Sequence, residues 1–533
     1  MKVPYLLATC ALSISLIGMP LQAKTPTDQL IIGMSMNNLL SLDPAGATGN
    51  DVVEVNANMY DSLVELDPAD TYKILPGLAE SWTVAADNRS ITFKIRKGVK
   101  FHSGNPLTAE DAAWSLQRVL KLNLALASVW KSYGFSAANV EQSIRATDAE
   151  TLVLTLPEPT DPKLVIYTLG TSVGAMVLDR KKVLANEKDG DMGKAWLTTN
   201  EAGSGPFALN EWRQKDVLLM SRNESYWRPQ AKLKRVVLRH MTESQTLRLM
   251  LERGDIDVAN GMSVPDVEAM KKNPNVGIEA VKRGNVYYVA VSAKDVKFAD
   301  KRVRLAIRNL IDYDGINKTV MPNYGLYHQR PVQMGLPATL PNPGYKLDVP
   351  AARKLLTEAG FPNGFKTTIR VLSDPPFINI ATSLQATLAL GGIEASVIPG
   401  TGNQVYGAMR DRSFEIIVGR GGGGAEPHPH SSLRSLVYNP DNRDEAKLTN
   451  FQGWRTSFIS PEINALIEKA EVEQDEKKQT AMYQEIQKLY EQQVGAIQPV
   501  SQMVDTVVLQ KDIRNFHSHP ASTTRWREVY KQR

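Results

Sequence analysis

Along the chain the spacing of apolar residues switches repeatedly between two periods, and each switch marks an element. Ile91, Phe93 and Ile95 alternate with Thr92, Lys94 and Arg96, which predicts a half-buried strand. Leu152, Leu154 and Leu156 repeat the alternation. A helical spacing follows Ser460-Pro461, a Ser cap with Pro at the first helical position. There Ile463, Leu466, Ile467 and Ala470 fall at i, i+3, i+4 and i+7. Met482, Ile486, Leu489 and Tyr490 mark a further amphipathic helix. Thr108-Ala109-Glu110-Asp111 predicts a helix start, with Thr108 as cap and an acid three residues on. That helix carries Trp114, with Leu116 and Leu120 on one face. These stripes are read as core rather than as grooves for a partner. Strand and helix signals alternate from end to end, without internal repeat or low-complexity tract, and predict an α/β fold.

With 533 residues, 42% of them hydrophobic and 22% charged, the chain is long enough for several cores. That composition excludes a disordered tail, a fibre and a disulfide-stapled miniprotein. Lys and Arg total 62 against 57 acids, a net charge of +5. A surface this mildly basic favours anionic solutes, but it lacks the basic stripe that nucleic acid requires. Lys2, the apolar run Leu6 to Ile17, Pro20 and the small Ala23 read as a cleavable signal peptide over residues 1–23. No other stretch approaches 18 apolar residues. The expectation is a soluble protein exported to the periplasm. The one cysteine, Cys10, lies inside that signal, and Leu7-Ala8-Thr9-Cys10 is a poor lipoprotein box. Cleavage at Ala23 leaves no thiol for a disulfide, a metal site or a nucleophile.

Several segments resemble one family in order. Leu78-Ala79-Glu80-Ser81-Trp82, the strand at Ile91 to Ile95, the turn Phe101-His102-Ser103-Gly104 and Thr108-Ala109-Glu110-Asp111 form the longest match. Gly203-Ser204-Gly205-Pro206-Phe207, Arg222-Asn223 with Tyr226-Trp227, and Gly254-Asp255-Ile256-Asp257 follow. Arg302-Val303-Arg304, Leu355 to Phe361, and Asn450-Phe451 with Trp454 complete the series. The chain resembles the large extracytoplasmic solute-binding proteins of ABC importers, the oligopeptide/dipeptide/nickel family 5.

The resemblance implies a two-lobed periplasmic-binding-protein fold of type II, with an inserted subdomain and a ligand cleft between lobes. Lobe I is expected from 24–58, 200–282 and 494–533, the insertion at 59–199, and lobe II at 283–493. It implies a monomer that captures a small solute by lobe closure and hands it to ABC permease subunits, with no cofactor and no enzymatic activity. A metal-chelate or sugar-conjugate binder of the same family is the alternative. A secreted two-lobed hydrolase is the rival of another class, but no GxSxG, HExxH or GxGxxG stands in a convincing context.

The chemistry-bearing stretch is Gly419 to His430, following the β-type run Phe414 to Val418. Gly421, Gly422 and Gly423 lack a Cβ, so a ligand could approach the backbone; the alternative is a bare surface loop. Arg420 offers a planar fork for an acidic group, and Glu426 could take a cation. Dipeptide binders of this family place an Asp in this loop for the peptide ammonium, and an Arg on the helix after the prolines for its carboxylate. Here glycine fills the first position, and Asn379, with no Arg between Pro375 and Gly391, stands near the second. Free dipeptides thereby lose ground to opine-like conjugates or modified peptides bearing an acid. His428 and His430 could bind metal, but with no third ligand nearby the expectation is hydrogen bonding, and no metal is assigned. His102 is read as structural. Asn37 and Asn38 are placed at the cleft from lobe I, and Trp454-Arg455 as a stacking and clamping pair, with lobe packing the alternative for Trp454.

Overall fold

A computed structural model describes residues 24–46, 50–67, 70, 73–423, 427–517 and 524–533. The expected signal segment, Cys10 and Glu426 lie outside the described residues. Eleven strands, numbered here along the chain, build the main sheet. They are β1 (Gln29–Met34), β2 (Phe207–Arg213), β3 (Val217–Arg222), β4 (Arg235–His240), β5 (Val258–Asn260) and β6 (Val276–Val291). The remainder are β7 (Gly325–Tyr327), β8 (Lys366–Leu372), β9 (Glu394–Gly400), β10 (Ile416–Gly421) and β11 (Ile497–Gln510). Their order is β9-β8-β10-β6-β11-β5-β1-β4-β3-β2, with β7 beside β11.

Two long antiparallel strands, β6 and β11, run through both halves of this sheet. Their pairing starts at Val276 with Gln510, ends at Ala290 with Ile497, and breaks register between Lys282 and Val286. A bulge of this kind bends a strand and raises its twist, which suits a hinge. Before the break, β11 pairs with β5, and β5 with β1, in a half drawn from three separated stretches of chain. Beyond it, β6 pairs with β10, and β10, β8 and β9 run parallel. The crossing on β11 lies near Gln502 to Val504 rather than at 494, because Ile497 to Gln502 pair with the second half of β6.

Helices chosen for their place at the cleft are α1 (Asn50–Met59), α2 (Phe377–Leu390), α3 (Gly402–Arg410) and α4 (Pro429–Leu436). The insertion carries its own antiparallel sheet, Ala79–Val84, Ser90–Ile95, Thr151–Thr155 and Ile144–Asp148 in that spatial order. The alternating Ile91, Phe93 and Ile95 point into its core, each at most 1% exposed. They meet Leu116 and Leu120 from the helix Ala109–Lys121. That helix opens as the sequence predicts, with the Thr108 backbone N–H donating to Asp111 Oδ2 at 2.9 Å. Gly203-Phe207 returns the chain to lobe I. A Cβ on Gly203 would lie 2.0 Å from the Met59 carbonyl oxygen, so only glycine fits there. His102 locks this junction, with Nδ1 2.9 Å from Glu201 and Nε2 2.9 Å from the Gly205 carbonyl.

Candidate functional site

The carboxyl end of β10 and the hinge break meet where the two halves of the sheet face one another. Crevices at the carboxyl ends of strands are where open α/β sheets take ligands. Arg420 lies on β10 opposite Tyr287 of β6, and its backbone N–H donates to the Tyr406 hydroxyl of α3 at 3.1 Å. Its side chain is exposed, and no ion pair or side-chain hydrogen bond holds it among the described residues. Tyr287 packs edge-on against Phe377, 5.3 Å between ring centres, and gives the wall an aromatic base.

Arg455 stands on the same wall. Its Nε donates to the Thr449 carbonyl at 2.7 Å, and no carboxylate pairs with it among the described residues. Burial pulls its pKa down, and the Tyr288 and Tyr406 hydroxyls hold it up in part. Arg455 also lines a cavity of about 430 Å³ between the insertion and lobe II, with Ser128, Lys131 and Glu158 on one side and Arg434 and Phe451 on the other. The lobes touch beside this cavity. The Asp161 N–H donates to the Glu471 carbonyl at 3.1 Å, and Lys163 Nζ lies 2.6 Å from Glu476.

The floor is acidic. Arg283, in the hinge bulge, holds Asp505 of β11 at 2.6 Å through Nε and NH2. Asp51 and Glu54 of α1 stand close by. Burial pushes the Glu54 carboxyl up to about 7; Arg283 works against this, and Asp505 and Asp51 add to it. Tyr287 feels both ends of the cleft, Asp505 on one side and Arg420 on the other.

Other expected residues sit differently. Asn37 and Asn38 are exposed just past β1, at the cleft side of lobe I. The Asn38 backbone hydrogen-bonds the Asp51 carboxylate. Asn379 is exposed on α2, while the core-facing positions are Phe377, Ile380, Ala381 and Leu384. The glycines are explained by packing. A Cβ on Gly421 would lie 2.0 Å from Gln452 Nε2, and one on Gly423 1.6 Å from the Gly284 carbonyl oxygen of the hinge. Gly421 pairs with Val286, and the Gly423 N–H donates to Ser432 Oγ at 3.3 Å, so both backbone positions are engaged within the chain.

His428 and Trp454 are likewise engaged within the chain. His428 is 7% exposed and caps α4, its Nδ1 accepting the His430 N–H at 3.3 Å, with its ring edge-on to Tyr483. Burial drives its pKa down to about 3, so it stays neutral. His430 spends Nδ1 on Tyr483 at 3.1 Å. Trp454 is 3% exposed, donates Nε1 to the Arg443 carbonyl at 3.1 Å and carries Arg412 on its ring, 4.6 Å from the centre. Its aromatic surface goes to lobe II packing. The sequence reading missed Asp51, Glu54, Arg283 and Asp505. The acids of α1 could have been noticed three residues apart, one helical turn. Arg283 and Asp505 are 222 residues apart, and only the β6–β11 register joins them.

Comparison with known proteins fits this geometry. The description "Bacterial extracellular solute-binding proteins, family 5 Middle" matches residues 73–444. A "Probable D,D-dipeptide-binding periplasmic protein" of Escherichia coli K12 is 27% identical over 487 residues, covering 88% of this chain and 87% of its own. The Helicobacter pylori periplasmic binding protein DppA, solved with the peptide STSA, superposes with a TM-score of 0.79 at 24% identity, over 95% of this chain and 98% of its own. The binding protein MoaA of A. tumefaciens R10, solved with mannopinic acid, superposes with a TM-score of 0.78 at 22% identity, over 95% and 100%. Among the described residues no helix is long and apolar enough to cross a membrane.

Proposed function

The chain belongs to the bacterial extracellular solute-binding proteins of family 5, and from that premise we propose that it captures a peptide-like or opine-like solute bearing an acidic group. The solute is held between the lobes in the periplasm and passed to an ABC permease. The observation that carries the reading is the Arg420 guanidinium, exposed at the cleft end of β10 without a carboxylate partner among the described residues. A guanidinium in such a wall is matched by a planar acid, which it can bind through two parallel N–H bonds. Arg455 supplies a second unpaired cation beside it. The absence of both dipeptide anchors turns the reading away from plain dipeptides. Relatives solved with STSA and with mannopinic acid span the two solute classes considered.

The test begins with mass spectrometry of the solute carried through purification, then calorimetry of that solute on two variants. A charge-assisted hydrogen bond removed from a dry cleft costs about 1.5–3 kcal/mol, so Arg420→Ala should bind roughly tenfold to a hundredfold more weakly. The apo melting temperature should stay as it is, since Arg420 holds no side-chain partner among the described residues; a lowered one would mark a structural pair with an acid such as Glu426. Arg420→Lys should recover only part, because an ammonium lacks the planar fork. Unchanged affinity in Arg420→Ala overturns the reading.

A further inference from the structure

The charges of the cleft are divided: unpaired cations stand on lobe II, and carboxylates collect at the hinge end of lobe I. Glu54 feels the Arg283 guanidinium on one hand and the Asp505 and Asp51 carboxylates on the other, and Arg283 is bound to Asp505. Asp51 is 8% exposed, and its Oδ1 accepts the N–H of Val52 at 3.1 Å. Its Oδ2 is buried and has no hydrogen-bond partner among the described residues. A buried carboxylate oxygen left unbonded is costly, and such a group in a native fold calls for a partner, an ion or a ligand group being among the candidates. Glu54 is half-buried, with the Thr524 side chain as its hydrogen-bond partner.

We propose that Asp51 and Glu54 form the subsite for a protonated amine of the solute, primary or secondary, so that the solute is a zwitterion with its acid at Arg420 and its amine at α1. This rests on the reading that the solute's acid docks at Arg420. A single ammonium has three donors at most, which suits two carboxylates one helical turn apart. A divalent metal suits the place less, since no group of three or more potential ligands is arranged to hold one among the described residues. An arriving ammonium also favours the ionised Glu54 carboxylate, which burial opposes in the free protein by holding its pKa up to about 7. The subsite takes over, from the opposite lobe, the amine contact for which the glycine-rich loop carries no acid between Gly419 and Gly423.

The experiment uses acidic dipeptides such as alanyl-glutamate and N-carboxyalkyl amino acids, each with its N-acylated twin. Binding is read by thermal shift and calorimetry on the wild type, Asp51→Asn, Glu54→Gln and Arg420→Ala. Free amines should bind the wild type roughly tenfold to a hundredfold better than their twins, as expected for a charged hydrogen bond. That difference should collapse in Asp51→Asn and Glu54→Gln, and should persist in Arg420→Ala at lower overall affinity. Without ligand, Glu54→Gln should melt no lower than the wild type at pH 7.5. Twins that bind equally well, with Arg420→Ala weakening both, overturn the amine subsite and leave the acid reading standing. A wild type stabilised by no member overturns both. Glu54→Gln melting well below the wild type assigns that carboxyl a structural role and overturns the subsite.

Discussion

At the scale of single residues, three histidines set how the fold answers pH. Burial depresses His428 to about 3 and His328 to about 4, while an unfolded histidine titrates near 6.5. Below that pH the unfolded chain takes protons that the folded rings refuse, so each ring loses stability as pH falls from about 6.5 toward its folded value. The slope is about 1.4 kcal/mol per pH unit for each group. His102 runs the other way. Burial opposes its charge, but Glu201 outweighs it and raises the pKa. Its contribution is full below about 6.5 and is lost as pH rises through the folded value. Denaturant melts between pH 6 and 4 should therefore show a shallower acid loss in His428→Gln than in the wild type, by about 1.4 kcal/mol per unit. An identical slope would mean that His428 is protonated in the fold.

At the scale of elements, the contact that matters is between the loop after β10 and the bulge of β6. Gly423 lies against Gly284 with φ of 27°, and its missing Cβ leaves room for the hinge carbonyl 1.6 Å from where that carbon would stand. Gly423→Ala must push the loop off the hinge. Its expected cost is about 2 kcal/mol or more in urea melts. Gly277→Ala is the control, because nothing lies within 4 Å of its Cβ position and it sits in β6, the strand of Gly284. Equal melting of the two variants would detach the loop from the hinge. Gly421, Gly422 and Gly423 thus owe their place to chain packing, and among the described residues the polar reading of the loop narrows to Arg420.

At the scale of the molecule, the two long strands join the lobes, with side contacts at Lys163–Glu476 and where Asn323 and Tyr324 reach Glu268 and Met262. The exposed Lys163–Glu476 pair contributes about 0–1 kcal/mol, so it does not by itself hold the cleft shut. A solute that touches Arg420 on one lobe and α1 on the other can do so, since it binds the closed arrangement more tightly than the open one. Small-angle scattering on the saturated protein should show a smaller radius of gyration than without solute. No change at saturation overturns closure as the capture step.

The α/β class and the helix start at Thr108 follow from local sequence alone. So do the buried faces of Ile91 to Ile95 and of the helix Pro461–Val472, because period, caps and β-branched runs act within a few residues. The order of family segments likewise carried the fold and the place of Arg420. What the sequence could not settle was which polar residues still have unmet bonds. His428 and Trp454 look like ligand groups in a string of letters, yet each is consumed by neighbours from distant segments. Asp51 and Glu54 look like an ordinary solvated helix face, yet the register of β6 on β11 brings Arg283 and Asp505 near Glu54, and one Asp51 oxygen has no partner among the described residues. Burial and partner choice depend on chain crossings hundreds of residues apart, and the tertiary structure alone decides them.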